Sequence, residues 1–360
     1  MGVIARYRKY LPVSDKTPVI TLEEGSTPLI RAEAIAEKIG PGYNVWLKFE
    51  GLNPTSSFKD RGMTMAVSKA LEEGSRAISC ASTGNTSASA AAYAAKAGIK
   101  CIVVIPEGAI ALGKLAQALI HGAKVIAVKG NFDQALEVVC ELTDKYPVTL
   151  VNSINPYRIE GQKTAAFEVC DVLGKVPEYH ALPVGNAGNI TAYWKGYKEY
   201  KEAGVTGSLP RMLGFQAALS APIVEGCVIK DPKTLATAIK IGNPVSWRKS
   251  LRGIRQTDGV VEQVSDQEIF DAKAHVDAAG IGAEPASCAS VAGTKKLVEQ
   301  GVIGSGETVC CILTGHLLKD PDAAIGYHRG ELEGIESRFA NTPVSVPARL
   351  DDVLRAIEED

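Results

Sequence analysis

Short apolar runs alternate with helical patterns along most of this 360-residue chain, and that alternation most narrows what it can fold into. Strand candidates are Ala77 to Ala81, Cys101 to Ile105, Val125 to Val128, Val148 to Val151, His180 to Val184, Met212 to Phe215 and Thr308 to Leu313. A turn cluster and then apolar residues at helical spacing follow each of them. Parallel strands need crossover connections of this kind, so the chain reads as an α/β protein. Ligands in such sheets bind beyond the carboxyl ends of the strands. That rule singles out Ser82 to Asn85, Asn152 to Asn155, Gly185 to Asn189 and Thr314 to Gly315.

Charge removes some classes of partner. With 39 basic and 41 acidic residues, the formal charge of -2 gives no footprint for nucleic acid or an anionic membrane, and we expect neither as a partner. The N-terminus lacks the apolar core of a signal peptide, and the alanine-rich run from Ala88 to Ala97 is interrupted by Lys96 and too short to span a bilayer. A cytoplasmic protein is the expectation. Eight cysteines include no Cys-x-x-Cys pair and five histidines show no ligand spacing, so we expect reduced core cysteines and no metal.

Asn53 to Gly62, Asn-Pro-Thr-Ser-Ser-Phe-Lys-Asp-Arg-Gly, is where the chemistry is best placed. Lys59 follows an alternating apolar run and a Gly/Asn/Pro breaker, and precedes a helical pattern through Met63, Met65, Ala66, Ala70 and Leu71. The positive end of a helix dipole disfavours an ammonium, so an amine there is more easily kept neutral and nucleophilic. By position alone, Lys59 reads equally well as a surface lysine, with Ser56, Ser57 and Asp60 capping a helix.

Other stretches have a comparable double reading. Ser82-Thr83-Gly84-Asn85-Thr86-Ser87 opens an alanine-rich helix, as an anion site or a plain capping box would. Gly185-Asn186-Ala187-Gly188-Asn189 lies between a strand and a helix and suits a phosphate, although its spacing is not the dinucleotide fingerprint. Thr314 ends a buried run and can point out of the sheet end or cap a helix. Asn152, Ser153 and Arg158 enter a helix, and Lys114 heads another; each cation is a candidate phosphate ligand or a solvated surface charge. Glu284-Pro285-Ala286-Ser287 is a turn into a helix in which Ser287 is a natural cap.

Ser57-Phe58-Lys59-Asp60-Arg61-Gly62-Met63 resembles the cofactor-lysine motif of the threonine synthases, fold-type II pyridoxal-phosphate enzymes of tryptophan synthase β-like architecture. Pro183-Val-Gly-Asn-Ala-Gly-Asn189 is similar to their phosphate loop. Thr314-Gly-His-Leu-Leu-Lys-Asp320 is similar to their Thr-Gly-Asn/His-Gly-Leu-Lys-Asp, with Leu317 in place of a glycine.

The resemblance implies two open, twisted, mostly parallel sheets flanked by helices. It implies a larger domain of 1–55 and 158–360 and a smaller, mobile one of 56–157. It makes Lys59 the cofactor lysine and proton shuttle. Phe58, Asn85, Gly185, Asn186, Ala187, Gly188, Asn189 and Thr314 would bind pyridoxal 5'-phosphate, with Asn85 on its phenolic oxygen and Thr314 at the pyridine nitrogen. Ser82, Thr83, Thr86, Lys114, Asn152, Ser153 and Arg158 would bind the substrate. The implied reaction converts O-phospho-L-homoserine and water to L-threonine and phosphate in a homodimeric enzyme. No plant-type N-terminal extension is present in the sequence, so activation by S-adenosylmethionine is not expected. Alternatives are a serine or threonine dehydratase on the same fold, and a catalytically silent phosphate-ligand binding protein. Glu284 to Ser287 is a further cofactor-side candidate.

Overall fold

The computed structural model describes residues 1–107, 112–130 and 132–358. Its strands, numbered along the chain, are β1 (Leu29–Arg31), β2 (Asn44–Phe49), β3 (Ala77–Ala81), β4 (Lys100–Pro106), β5 (Lys124–Val128), β6 (Val148–Leu150), β7 (Tyr179–Pro183), β8 (Arg211–Ala217), β9 (Val260–Val264) and β10 (Thr308–Leu313). They form a six-stranded sheet in the order β1-β2-β10-β7-β8-β9 and a four-stranded sheet in the order β5-β4-β3-β6. The pairings are parallel except for β1 with β2, which is antiparallel. All seven expected strands are present. The three further strands are β1 and β9 at the two edges of the larger sheet and β2, which is the alternating apolar run before Lys59.

Alternation along β10 shows how the larger sheet is covered on both faces. Val309, Cys311 and Leu313 join one core with helices Glu33–Ile39, Asp266–Ala278 and Pro285–Glu299. Cys310 and Ile312 point the other way, into a core shared with helices Val3–Tyr7, Thr164–Leu173 and Gly188–Glu202. A strand buried on both faces has no polar side to show, so β10 reads as a continuous apolar run. The smaller sheet has its own core, where Ile78, Cys80, Val103 and Ile105 pack against Ala90, Tyr93 and Leu115.

Helix Lys59–Glu72 belongs to both units. Met63, Ala66, Val67 and Ala70 enter the core of the smaller sheet, while Met65 enters a core of the larger one. The residue at its start is therefore placed where the two sheets meet.

Six of the eight cysteines are buried; Cys140 is half-buried and Cys227 exposed, so the expectation of core thiols fails at Cys227. The C-terminal helix, Leu350–Glu358, buries none of its residues. The segment before it, 341–349, is exposed throughout and holds Pro343 and Pro347, which favour extended chain and offer no backbone donor.

Candidate functional site

Lys59 is the first residue of its helix, and the turn before it is held from two sides. Phe58 N donates to the Thr314 carbonyl at 3.0 Å and His316 N to the Ser56 carbonyl at 3.0 Å, which ties the turn to the end of β10. Ser56 itself takes a left-handed backbone, φ 66°. From below, the Asp60 carboxylate accepts Thr55 N at 2.7 Å, Thr55 Oγ1 at 2.6 Å and Ser89 Oγ at 2.5 Å. Asp60 is thus a brace for the turn rather than a helix cap. Burial raises its pKa to about 6 against these bonds.

A buried ion lattice anchors the same helix, and sequence reasoning did not find it. Arg61 gives Nε and Nη2 to Glu50 at 2.6 and 2.8 Å, and Nη1 and Nη2 to Glu168 at 2.8 and 2.6 Å. Lys48 Nζ donates to Glu168 at 2.7 Å and to the Thr27 carbonyl at 2.6 Å. All four charged side chains are essentially inaccessible, and two cations balance two anions. Burial alone would raise the Glu50 and Glu168 carboxyls, but Arg61 and then Lys48 hold both below the usual range.

The Lys59 amine is prepared for nucleophilic chemistry. Burial, reinforced by the Arg158 charge and opposed by Glu284, lowers its pKa to about 7. A lysine on an open surface would be almost wholly protonated at neutral pH; this one is neutral about half the time. Lys59 is half-buried, with its Nζ 4.2 Å from the centroid of the Phe58 ring.

Arg158 lies in helix Pro156–Gln162, whose first turn is capped by Asn155 Oδ1 accepting Tyr157 N at 2.9 Å. The residue is 1% exposed. Its Nη1 donates to the Val151 carbonyl at 3.2 Å, and among the described residues it meets no carboxylate and Nε has no hydrogen-bond partner. Burial pushes its pKa down to about 10. Asp60 opposes this from a distance, but a buried guanidinium with no carboxylate in contact and an unpartnered Nε can take a further anion.

Gly185 to Asn189 forms a second one. Helix Gly188–Glu202 starts inside this segment, and Ala187 adopts φ 59° to turn the chain into it. A Cβ built on Gly188 would meet only Ile159 Cδ1, at 3.7 Å, so the loop is open above that residue. Among the described residues, buried Asn189 Nδ2 has no partner. The loop is steadied by Asn186, whose carbonyl accepts Ser246 N at 3.1 Å and whose Oδ1 accepts Val245 N at 3.5 Å.

The remaining candidates divide by what their side chains do. Asn85 opens helix Asn85–Ala97 and directs Nδ2 to both oxygens of Glu284, at 3.2 and 3.1 Å. Thr314 Oγ1 donates to Glu284 Oε1 at 3.3 Å and lies 3.0 Å from Ser287 Oγ. Ser287, read as a cap, stands inside the first turn of helix Pro285–Glu299 and serves Thr314 instead. Ser82 Oγ accepts Gly84 N at 3.2 Å, Thr83 is half-buried beside it, and Thr86 is buried. The Asn152 amide is committed to the β3 end, bonding Ala81 N and the Ala81 carbonyl at 2.9 Å each, with half-buried Ser153 next to it. Lys114 is in helix Leu112–Ile120, but its side chain lies outside the described residues. Leu317 is accommodated opposite Gly282, where a Cβ would collide with its side chain.

A lysine whose pKa is lowered by burial, placed where two mostly parallel sheets meet, in a chain that also carries a glycine-containing loop at a helix N-terminus, points to a cofactor enzyme of a particular kind. The family model described as pyridoxal-phosphate dependent enzyme matches residues 20–315, so the chain belongs to that family, and its cofactor is pyridoxal phosphate. Its place within the family is among the threonine synthases. It is 60% identical to the threonine synthase of Synechocystis sp. over 90% of this chain and 85% of that one, and 57% identical to that of Halalkalibacterium halodurans over 90% and 91%. The fold matches maize serine racemase with a TM-score of 0.72 at 20% identity, covering 88% of this chain and 95% of that one. The residues present fit the cofactor: Lys59 supplies an amine, and the loop ending in Asn189, with its unpartnered buried amide, supplies donors for a phosphate.

Proposed function

We propose that the cleft converts O-phospho-L-homoserine and water to L-threonine and phosphate. The observation that carries this reading is Arg158, a buried cation with no carboxylate in contact among the described residues, close enough to depress the Lys59 pKa. A cofactor phosphate accounts for the loop. Arg158 calls for a second anion, which a dehydratase acting on serine or threonine does not bring.

The cofactor, when bound, acts as the electron sink for charge developed at Cα. Lys59 is then the group that moves protons: its amine takes one from Cα and one from Cβ, and returns one to Cγ. The Cγ–O bond breaks with its electron pair leaving on phosphate, which Arg158 holds. Water adds at Cβ, its hydroxyl becoming that of threonine and its other proton going to the phosphate, and Lys59 returns the second proton to Cα. Phe58, Asn85, Gly185, Asn186, Ala187, Gly188, Asn189 and Thr314 are assigned to the cofactor, and Ser82, Thr83, Thr86, Lys114, Asn152, Ser153 and Arg158 to the substrate.

We also place a mobile smaller domain at 56–157, supported by the four-stranded sheet, whose strands all fall between 77 and 150. A homodimer, which rests on the resemblance to the threonine synthases, completes the reading, and a cytoplasmic location rests on there being no helix among the described residues long and apolar enough to cross a membrane. The test is Arg158→Ala. Losing a bond to a charged group costs ~1.5–3 kcal/mol, so kcat/KM for phosphate release should fall roughly ten- to a hundredfold while the cofactor's visible band persists. Near-parental kcat/KM removes Arg158 from the substrate site, and loss of the band makes it a support of the cofactor instead.

A further inference from the structure

Glu284 lies in a stretch noted only as a cofactor-side candidate with no specific role, yet it touches the groups that would flank the cofactor. It precedes helix Pro285–Glu299 and is 4% exposed. Asn85, at the helix following β3, donates to it at 3.2 and 3.1 Å; Thr314, at the end of β10, donates to it at 3.3 Å. One carboxylate therefore bridges side chains carried by the two different sheets.

The chemistry of the contact is directional. An ionised carboxylate only accepts, so Asn85 must turn its NH₂ toward Glu284, and the second N–H on that nitrogen stays available to another acceptor. By donating to the same carboxylate, the Thr314 hydroxyl is likewise oriented, with lone pairs left for a different donor. The backbone is shaped to admit the arrangement. Glu284 N donates to the Gly315 carbonyl at 3.0 Å, and Gly315 N to Ser287 Oγ at 3.0 Å. A Cβ on Gly315 would lie 2.5 Å from Glu284 Oε1 and 2.6 Å from its Cδ, so glycine is needed there for space. The charged groups facing Glu284 are Lys59 and Lys319, with Asp320 nearby. Burial raises its pKa, and the Asn85 bond and the two lysines work against that rise.

Taking the cleft as the cofactor site, we propose that Glu284 is a positioning residue: it presets the Asn85 amide and the Thr314 hydroxyl as a pair, ready for the bound cofactor. Without it, both side chains are free to rotate, and each must be ordered by the cofactor itself.

The test uses Glu284→Ala and the isosteric Glu284→Gln, read without substrate. Pyridoxal phosphate is titrated into apoprotein, and the visible circular dichroism of the bound chromophore reports its orientation. Glu284→Ala should weaken cofactor binding about tenfold and change the dichroic band, with Asn85→Ala adding less than about twofold on top of it. If Glu284→Ala does not fold, Glu284→Gln carries the test, with the same change of band and a smaller loss of affinity. Parental affinity together with a parental band, or full additivity with Asn85→Ala, would overturn the proposal. The dichroism requires no turnover, so absence of phosphate release would count against the proposed reaction and leave this result standing.

Discussion

Gly161→Ala tests whether the spacing of two helices sets the geometry of the cleft. Helix Pro156–Gln162, which carries Arg158, crosses helix Lys59–Glu72 at Gly161 and Gly62. A Cβ on Gly161 would lie 1.8 Å from the Arg61 carbonyl oxygen, where a close carbon–oxygen contact needs about 3.3 Å. The helices must part by about 1.5 Å at that point. Two effects on stability oppose each other. Overpacking costs ~1–3 kcal/mol, and alanine in place of glycine in a helix returns roughly 1 kcal/mol, so the fold should survive with a loss of about 0–2 kcal/mol. Activity has no such offset. Lys59 and Arg158 sit on the two helices being separated, and a 1 Å misplacement of reacting groups can cost about a hundredfold in rate. The assay is kcat/KM for phosphate release beside a urea unfolding curve. Gly207→Ala is the control, since a Cβ there meets no atom within 4 Å. A Gly161→Ala enzyme within about threefold of the parent would refute the reasoning.

Gly188→Ala should be accommodated by the apoprotein, because only Ile159 Cδ1 lies near the new Cβ, and Gly188→Val should weaken cofactor binding; equal affinity of a folded Gly188→Val in a titration would remove the loop from the phosphate site. Cofactor uptake by apoprotein should rise about tenfold from pH 6 to pH 8, because Lys59, lowered to about 7 by burial and by Arg158, becomes neutral across that window. Stopped-flow absorbance measures it, and a rate that falls or stays flat contradicts the assignment. Glu168→Gln leaves Arg61 and Lys48 with one carboxylate between them and should cost ~3–5 kcal/mol at pH 7. The Glu168 pKa is depressed on folding, so its contribution is present above about pH 4.3 and lost as pH falls toward its folded value. The gap between parent and variant should therefore narrow in unfolding curves from pH 7 to pH 3, and a gap independent of pH would show that the lattice is not electrostatic.

What was legible in the sequence followed from periodicity and local breakers. β3 and β10 run between the residues expected, since buried parallel strands leave unbroken apolar stretches. β9 was missed because Glu262 and Gln263 interrupt its valines, as suits a half-buried edge strand, and β1 because it is only three residues long. The helix start at Lys59 was readable from the Gly/Asn/Pro breaker, but singling out this lysine took the resemblance of its motif to the threonine synthases. The ion lattice was not, because Lys48 and Glu50 resemble the polar side of an alternating strand until Glu168, 120 residues later, is brought against them. Glu284 was named as a cofactor-side candidate, but its contact with Asn85 was hidden for the same reason: the two are 199 residues apart.

The central claim is tested most directly by incubating the cofactor-loaded protein with O-phospho-L-homoserine and following inorganic phosphate and L-threonine together, beside L-serine and L-threonine as deamination substrates. The account predicts equimolar phosphate and threonine, with oxo-acid formation from serine or threonine far slower. Rapid deamination without phosphate release would contradict it and make the enzyme a dehydratase.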